Sequence, residues 1–436
     1  MTHEQDLDKL LLRPDVRTYV QAFDEPGPHA GRYRSWNKGR YHDPRPSDLP
    51  MPTLEALVSR WRERRMIPLN LAAFGERPMR LNLSDATMAS IQEVTAFEAL
   101  NEPGIPPISD DEALDYRLRS LIEEAFASSK IEGAVTSRRI ASDLARGKRE
   151  PRGHSERMVL NNWEALRHLD EWQAEPLTVS RLCEIQALVT KGTDLDPADV
   201  GHLRTDDDVV VEDALTHEVV HHPPPAADLP ARLERLLRFA NEDQGLPHLA
   251  KAILVHHQLA FEHPFADGNG RTARVVFLLE ASRHPDLRWI SFIPISRSIA
   301  ERKEAYYQAF RDTADEGWDT THFLRQQLRC LSIECERMAG FLKDFARRRA
   351  LYSQKLELEG KLNGRQVALI RSALKRPETR FTQVEHARHH QVTTMTAQRD
   401  LQQLVDWKLL GKRRDPKDLR RYLYRPTARL LELGDE

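Results

Sequence analysis

Apolar residues recur every third or fourth position through most of this chain, the spacing that lines one face of an α-helix. Leu54, Leu57, Val58 and Trp61 form one such stripe and predict a helix over Leu54–Met66. A second helix is expected after Ser84-Asp85, which offer N-cap chemistry ahead of Met88, Ile91 and Val94. A longer pattern runs from Asp110 to Ile131 through Leu114, Leu118, Leu121, Ile122, Ala125 and Phe126, and Gly133 stops it. From Glu156 into the 330s nearly everything reads as helix, and after Trp318 the periodicity runs to about Leu358. One segment breaks it. Val209-Val210-Val211 and Glu218-Val219-Val220 are β-prone runs with turn-prone residues between them and Pro223-Pro224-Pro225 behind, which predicts a hairpin. Residues 1 to about 50, rich in Pro, Arg, His and aromatics (Tyr33, Trp36, Tyr41), show no clear period and read as loop or as an extended arm laid over a neighbouring surface.

Composition narrows the class. The chain has 436 residues, 40% hydrophobic and 30% charged, enough for two or three domains. Its longest apolar run, Val275–Leu279, is far short of the ~18 residues of a membrane helix. No secretory leader is visible, and three cysteines (Cys183, Cys330, Cys335) make no disulfide framework or zinc knuckle, so a cytoplasmic protein without a membrane partner is expected. The net charge of −2 hides an asymmetry. Between Lys361 and Arg425 there are 16 Lys and Arg against 6 Asp and Glu, a net of +10 that leaves the remainder at −12. A basic C-terminal module on an acidic body suggests two jobs.

The chemistry concentrates in His263-Pro264-Phe265-Ala266-Asp267-Gly268-Asn269-Gly270-Arg271-Thr272-Ala273-Arg274. Apolar helical runs flank it, so it is a tight loop between two buried helices. Gly268, Asn269 and Gly270 open the second helix with unsatisfied N–H groups that an anion can approach closely. Arg271 and Arg274 lie one turn apart on one face. Asp267 is a hard oxygen ligand suited to Mg²⁺, and His263 exchanges a proton near neutral pH. Together these describe a phosphoryl or nucleotidyl transfer site, with Pro264 and Phe265 anchoring the loop.

The segment resembles the Fic family motif, His-x-Phe-x-Asp/Glu-Gly-Asn-Gly-Arg-x-x-Arg, at every specified position. Similarity extends over about residues 105 to 335, including Gly201-His202-Leu203-Arg204-Thr205, the Ile299–Tyr307 stretch and Gly317-Trp318. The resemblance implies a mainly α fold: an all-helical Fic core with a small β-hairpin flap, followed by a winged helix-turn-helix. It also implies an adenylyltransferase that moves AMP from ATP to a protein hydroxyl. His263 would be the general base and Asp267 would hold Mg²⁺. Gly268, Asn269 and Gly270 would cradle phosphates, with Arg271 on the β-phosphate and Arg274 on the γ-phosphate. On this reading residues 1–104 are an arm and helices packed on the core. Residues 105–345 are the Fic domain, with an inhibitory helix at about 112–133, a flap at about 209–225 and the catalytic loop at 263–274. Residues 346–436 are a linker helix and the winged module.

Three further features follow. Glu132 stands at a helix C-terminus, where the macrodipole disfavours a carboxylate by ~0.3–1 kcal/mol. With Ser128 and Gly133 it resembles the inhibitory Ser-x-x-x-Glu-Gly motif of many Fic proteins, which implies that Glu132 pairs with Arg274 and blocks productive ATP binding. The hairpin resembles the family's flap, with Val219, Val220, His221 and His222 placed to dock a target strand. His217, His221 and His222 read as solvated rather than as metal ligands, and His256 and His257 as packing residues. In the C-terminal module, helices are expected at Gln366–Leu374, Thr382–His389 and after Thr393. The third should bury Met395, Ala397, Leu401, Leu404 and Val405, and Lys412–Lys417 should form a wing. Expected partners are target proteins, the chain itself included, with DNA and a second copy as further candidates. Two other readings stay open: a DNA-binding regulator that uses the Fic core as sensor, and a Fic enzyme that removes AMP or transfers another phosphate-containing group.

Overall fold

A computed structural model describes residues 2–25, 31–74, 77–97, 110–212, 219–358, 362–375, 379–415, 418–427 and 430. The chain forms two compact units, Met1–Phe341 and Leu342–Glu436. The first unit is dominated by helices, and its first layer differs from the expected arm. Helices Thr2–Leu10 and Pro14–Gln21 pack Leu7, Leu11, Val16, Tyr19 and Val20 onto Leu54, Leu57 and Val58 of the helix Met51–Glu63. Helices of eight or nine residues show too few turns for a period to stand out, and they hold together through packing. Pro14, which reads as a breaker, sits in the first turn, where its missing N–H costs nothing.

The helix predicted to reach Met66 ends at Glu63. Met66–Ala72 instead pairs antiparallel with Pro78–Asn82, with Ile67 opposite Leu81 and Pro68 opposite Arg80. Leu69 and Leu71 alternate into the core, a period of two over a run too short to separate from helix by eye. This hairpin matters for the site. Arg80 accepts from Thr320 N–H at 2.9 Å and donates to the Trp318 carbonyl at 2.9 Å, which ties the hairpin to the segment carrying Trp318.

Asp110–Ile131 is one helix, as the pattern predicts. Its end is closed by Gly133 at φ 91°, with Ala134 N–H on the Ser129 carbonyl (3.0 Å) and Gly133 N–H on that of Lys130 (3.1 Å). Two bonds of this kind around a left-handed glycine make a Schellman stop and leave Glu132 as the C-cap. His248–Glu262 and Asn269–Arg283 run through the middle of the unit and are buried almost all round. The flap pairs Val211 with His221 and Glu212 with Val219, so Val209 and Val210 fall outside the strand; residues 213–218, His217 among them, lie outside the described residues.

The second unit contains helices Gly364–Lys375, Gln383–His389 and Thr394–Asp406, then a hairpin pairing Leu410–Asp415 with Asp418–Pro426. Thr382 and Glu385 form a reciprocal capping box, and Thr393 caps the third helix through Thr396 N–H. Ala397, Leu401 and Leu404 are buried, with Leu369, Ile370 and Tyr424 in the same core. Two expected members of the stripe differ: Met395 is 72% exposed, and Val405 is half-buried. The buried position between them belongs to Asp400, which Arg365, Asn363 and His386 satisfy.

Candidate active site around the His263–Arg274 loop

The loop is built so that little of it can move. His263 ends the inbound helix in the left-handed region, φ 46°. Its carbonyl accepts from Arg204 Nε at 3.0 Å, while Arg204 N–H donates to the Pro264 carbonyl and Nη2 to that of Pro224. One buried arginine thus joins the loop to the base of the flap. Asn269 turns both ends of its amide onto Phe265, its oxygen accepting from the Phe265 N–H (2.9 Å) and its nitrogen donating to the carbonyl (2.7 Å), and the Phe265 ring is fully buried. Gly268 has φ 83°, and a Cβ there would come within 2.7 Å of Thr190 Cγ2. Gln186 Nε2 supports the Asp267 carbonyl at 3.0 Å. Thr272 N–H is the first in the outbound helix to reach a carbonyl, that of Gly268, which leaves the N–H groups of Asn269, Gly270 and Arg271 without an intrahelical partner.

That helix start opens on a cavity of about 240 Å³ lined by His263, Gly270, Arg274, Glu132 and His221. Arg274 is buried and held three times by the Asp110–Ile131 helix: Nε on Ser128 Oγ (2.8 Å), and Nη2 on the Ser128 carbonyl (3.1 Å) and Glu132 Oε1 (2.7 Å). Burial pushes the Glu132 carboxyl up, but the guanidinium more than offsets this and holds it below its ordinary value. The carboxylate also covers Gly270 so closely that a methyl group there would collide with it. Lys303 Nζ donates to the Ile131 carbonyl at 3.0 Å, a cation at the end of the same helix.

His263 Nδ1 lies 3.3 Å from the Ala260 carbonyl. A carbonyl only accepts, so Nδ1 carries the hydrogen and Nε2 is the acceptor. Burial pulls the ring's pKa down to about 4, so it is neutral at pH 7.

Residues 176–281, which contain this entire loop, match the Fic/DOC family. The match spans about a quarter of the chain. Proteins named protein adenylyltransferase Fic from Drosophila mojavensis and Drosophila melanogaster are 32% identical over 109 residues, 24% of this chain and 20% of theirs. The chain therefore spans about a fifth of the length of the curated relatives it matches. Among solved structures, a Fic family protein from Desulfovibrio desulfuricans G20 is 21% identical, with a TM-score of 0.49 over 78% of this chain and 95% of that one. A fragment of Fic-1 from C. elegans is 18% identical, with a TM-score of 0.48 over 76% and 82%.

Within the matched span the predicted residues do not all face the same way. His263, Gly270 and Arg274 share the cavity, with Glu132 from outside the matched span. Arg271 turns aside: it is buried, with Nη1 on the Val189 carbonyl (2.6 Å) and Nη2 on Asp267 Oδ2 (3.0 Å). Asp267 is half exposed at the rim. The flap histidines split. His222 is exposed, but His221 is not solvated as expected: its Nε2 donates to the Phe261 carbonyl at 2.8 Å beside the Phe261 ring. Val219 is exposed. His256 Nε2 meets Tyr306 Oη at 3.1 Å and His257 stacks on Phe310, both buried and neutral. Among the described residues no group of three or more His, Cys, Asp or Glu is disposed to hold a metal, and no helix is long and apolar enough to cross a membrane. Sequence reasoning missed Gln186, Lys303 and the role of Arg204. Arg204 alone had a signal, its place in the Gly201–Thr205 stretch.

Proposed function

We propose that this protein transfers AMP from ATP to a hydroxyl side chain of a protein, the chain itself included, and that Glu132 holds the activity down. The names of the curated relatives support the reaction class. The observation that carries it onto these residues is the shared cavity: an unprotonated imidazole nitrogen, an open helix N-terminus and a buried guanidinium meet there. His263 Nε2 takes the proton of the incoming hydroxyl. The freed oxygen attacks the α-phosphorus, the bond to the β-phosphate oxygen breaks, and pyrophosphate leaves. The N–H groups of Asn269, Gly270 and Arg271, with Arg274, meet the phosphate charge as it redistributes. The Asn269 side chain takes no part, both ends of its amide being turned onto Phe265.

Asp267 fits a Mg²⁺ site. One oxygen is held by Arg271, the side chain is half exposed, and a single carboxylate plus phosphate oxygens is the usual environment of that ion. Bound there, Mg²⁺ would neutralise phosphate charge. The part played by Arg271 is to fix the carboxylate. The outer edge of Val219–His221 is unpaired among the described residues and suits a target segment added as a strand, with His222 at its solvent side.

Geometry and charge support the brake. Glu132 covers Gly270 and engages Arg274, so a phosphate and this carboxylate compete for one place. Misplacing a reacting phosphate by ~1 Å costs ~100-fold in rate. With α-labelled ATP and Mg²⁺, Glu132→Gly is expected to label itself or a target at least tenfold more than wild type, with Glu132→Gly/His263→Ala unlabelled. Arg274→Ala and Glu132→Gly/Arg274→Ala should both stay dark. Equal labelling by wild type and Glu132→Gly would remove the brake. Labelling by Glu132→Gly/His263→Ala would remove the base.

A further inference from the structure

The second unit carries the chain's excess positive charge, and its surface distribution differs from what a count along the third helix implies. Along Thr394–Asp406 the acids Asp400 and Asp406 nominally outweigh Arg399. Asp400, however, is buried and neutralised by Arg365 at 2.7 Å, so it projects no charge outward. Asp406 is the helix's last residue and accepts from Gln402 Nε2. The helix's core side is Ala397, Asp400, Leu401 and Leu404. At about 100° per residue, Met395, Gln398, Arg399, Gln402 and Asp406 therefore fall within one arc of roughly 100° on the opposite side; Asp406, exposed at the helix's C-terminal end, lies seven residues beyond Arg399 and leaves the first half of that face without a carboxylate.

Those side chains are an unusual set to leave facing water. Met395 is 72% exposed, and Gln398 and Arg399 are exposed beside it. The hairpin stands against the same helix, because Lys412 Nζ donates to Gln402 Oε1 at 3.0 Å. Lys412 also lies 4.3 Å from the Tyr422 ring centroid. Arg413, Arg414 and Arg421 extend the hairpin's positive charge, all exposed. Arg399 and Arg413 make no ion pair with any described residue. A convex helix face with an apolar tip, an amide and a guanidinium, flanked by a basic two-stranded ribbon, matches the major groove of duplex DNA. There glutamine reads adenine, arginine reads guanine and an apolar group meets the thymine methyl, while the ribbon's cations neutralise phosphates.

We infer that the second unit is a sequence-reading DNA-binding module. The helix Thr394–Asp406 enters the major groove through Met395, Gln398 and Arg399, and the Leu410–Pro426 hairpin grips the backbone through Lys412, Arg413 and Arg414. An acidic protein surface would also meet the ribbon, but it offers nothing for the amide and the methionine to read.

The test uses the full-length protein and a pool of randomised 30-base-pair duplexes, enriched by repeated capture, with anisotropy on an enriched and an unselected duplex at about 50 and about 200 mM salt. Enrichment of a defined sequence is expected, with affinity falling steeply as salt rises. Gln398→Ala/Arg399→Ala should lower affinity for the enriched duplex at least about tenfold and leave the unselected duplex nearly unchanged. Arg413→Ala/Arg414→Ala should weaken both duplexes and flatten the salt dependence by about two phosphate contacts. All four positions are exposed, so folding is not at stake. Absence of an enriched sequence, equal loss on both duplexes from the helix variant, or binding of a polyglutamate peptide as tight as that of DNA would each overturn the assignment.

Discussion

His263 shows how far one side chain can be reasoned from its identity and where its surroundings take over. The residue type offers a base of pKa near 6.5, but the folded ring is pulled to about 4 by burial, with His221 adding to the fall and the Ala260 carbonyl and Glu132 opposing it. Removing Glu132 takes away one of the opposing influences, so in Glu132→Gly the ring stays neutral to still lower pH. The acid limb of kcat/KM for AMP transfer by Glu132→Gly is therefore expected below pH 5, with a flat profile from there to pH 8. A limb centred near 6.5 would mean that the essential group is a solvated histidine and not this one. Other residues were legible as types but not as roles. Asn269 and Arg271 read as phosphate ligands because they sit in the motif, yet the side chain of one staples Phe265 and that of the other holds Asp267. A sequence states which groups are present, while the partner that consumes them comes from another part of the chain.

At the scale of elements, the Asp110–Ile131 helix was readable from end to end, since a 22-residue amphipathic run and a stopping glycine are local signals. The contact that matters at its end was not. Lys303 reaches the Ile131 carbonyl from a helix 172 residues further on, and nothing in either segment announces it. A cation there stabilises the helix terminus and offsets the misfit of Glu132, which is worth ~0.3–1 kcal/mol. Lys303→Met should thus loosen the terminus and raise basal AMP transfer by up to about fivefold, well short of Glu132→Gly. Label transfer from α-labelled ATP in the two single variants and the double decides it. An increase that persists in the Glu132→Gly background would show that Lys303 acts on something other than the brake. The short N-terminal helices and the Met66–Asn82 hairpin escaped for a related reason: two turns, or five residues, hold too little pattern to outweigh the flanking prolines and charges.

For the whole molecule, the central helices bury ionisable groups of both kinds, and their pH dependences oppose one another. His221, His256, His257 and His263 all have folded pKa values below 6.5, because burial disfavours the imidazolium. The unfolded chain binds their protons more readily, so the stability they contribute is complete above pH 6.5 and is lost as pH falls. Glu124 and Glu280 behave oppositely. Burial raises each to about 7 from 4.5, so the folded state holds protons that the unfolded chain releases, and stability falls as pH rises through that interval. The two intervals overlap, and four imidazoles outweigh two carboxyls, so stability should climb to a maximum near pH 6.5 and fall above it as the carboxyls ionise. Glu124 separates the two limbs experimentally. It is buried, accepting from Ser296 N–H at 2.8 Å and from the Ser296 hydroxyl, and a glutamine amide can serve both without ionising. Ionising the native carboxyl at pH 8 costs on the order of 3 kcal/mol, because burial raises it from 4.5 to about 7. Glu124→Gln should therefore melt several degrees higher than wild type at pH 8, and the two should converge at pH 4.5, where the native carboxyl is already protonated. Thermal unfolding of both proteins between pH 4.5 and 8 is the measurement. A constant offset across that range would mean that the substitution acts through packing, and that Glu124 does not carry the alkaline limb.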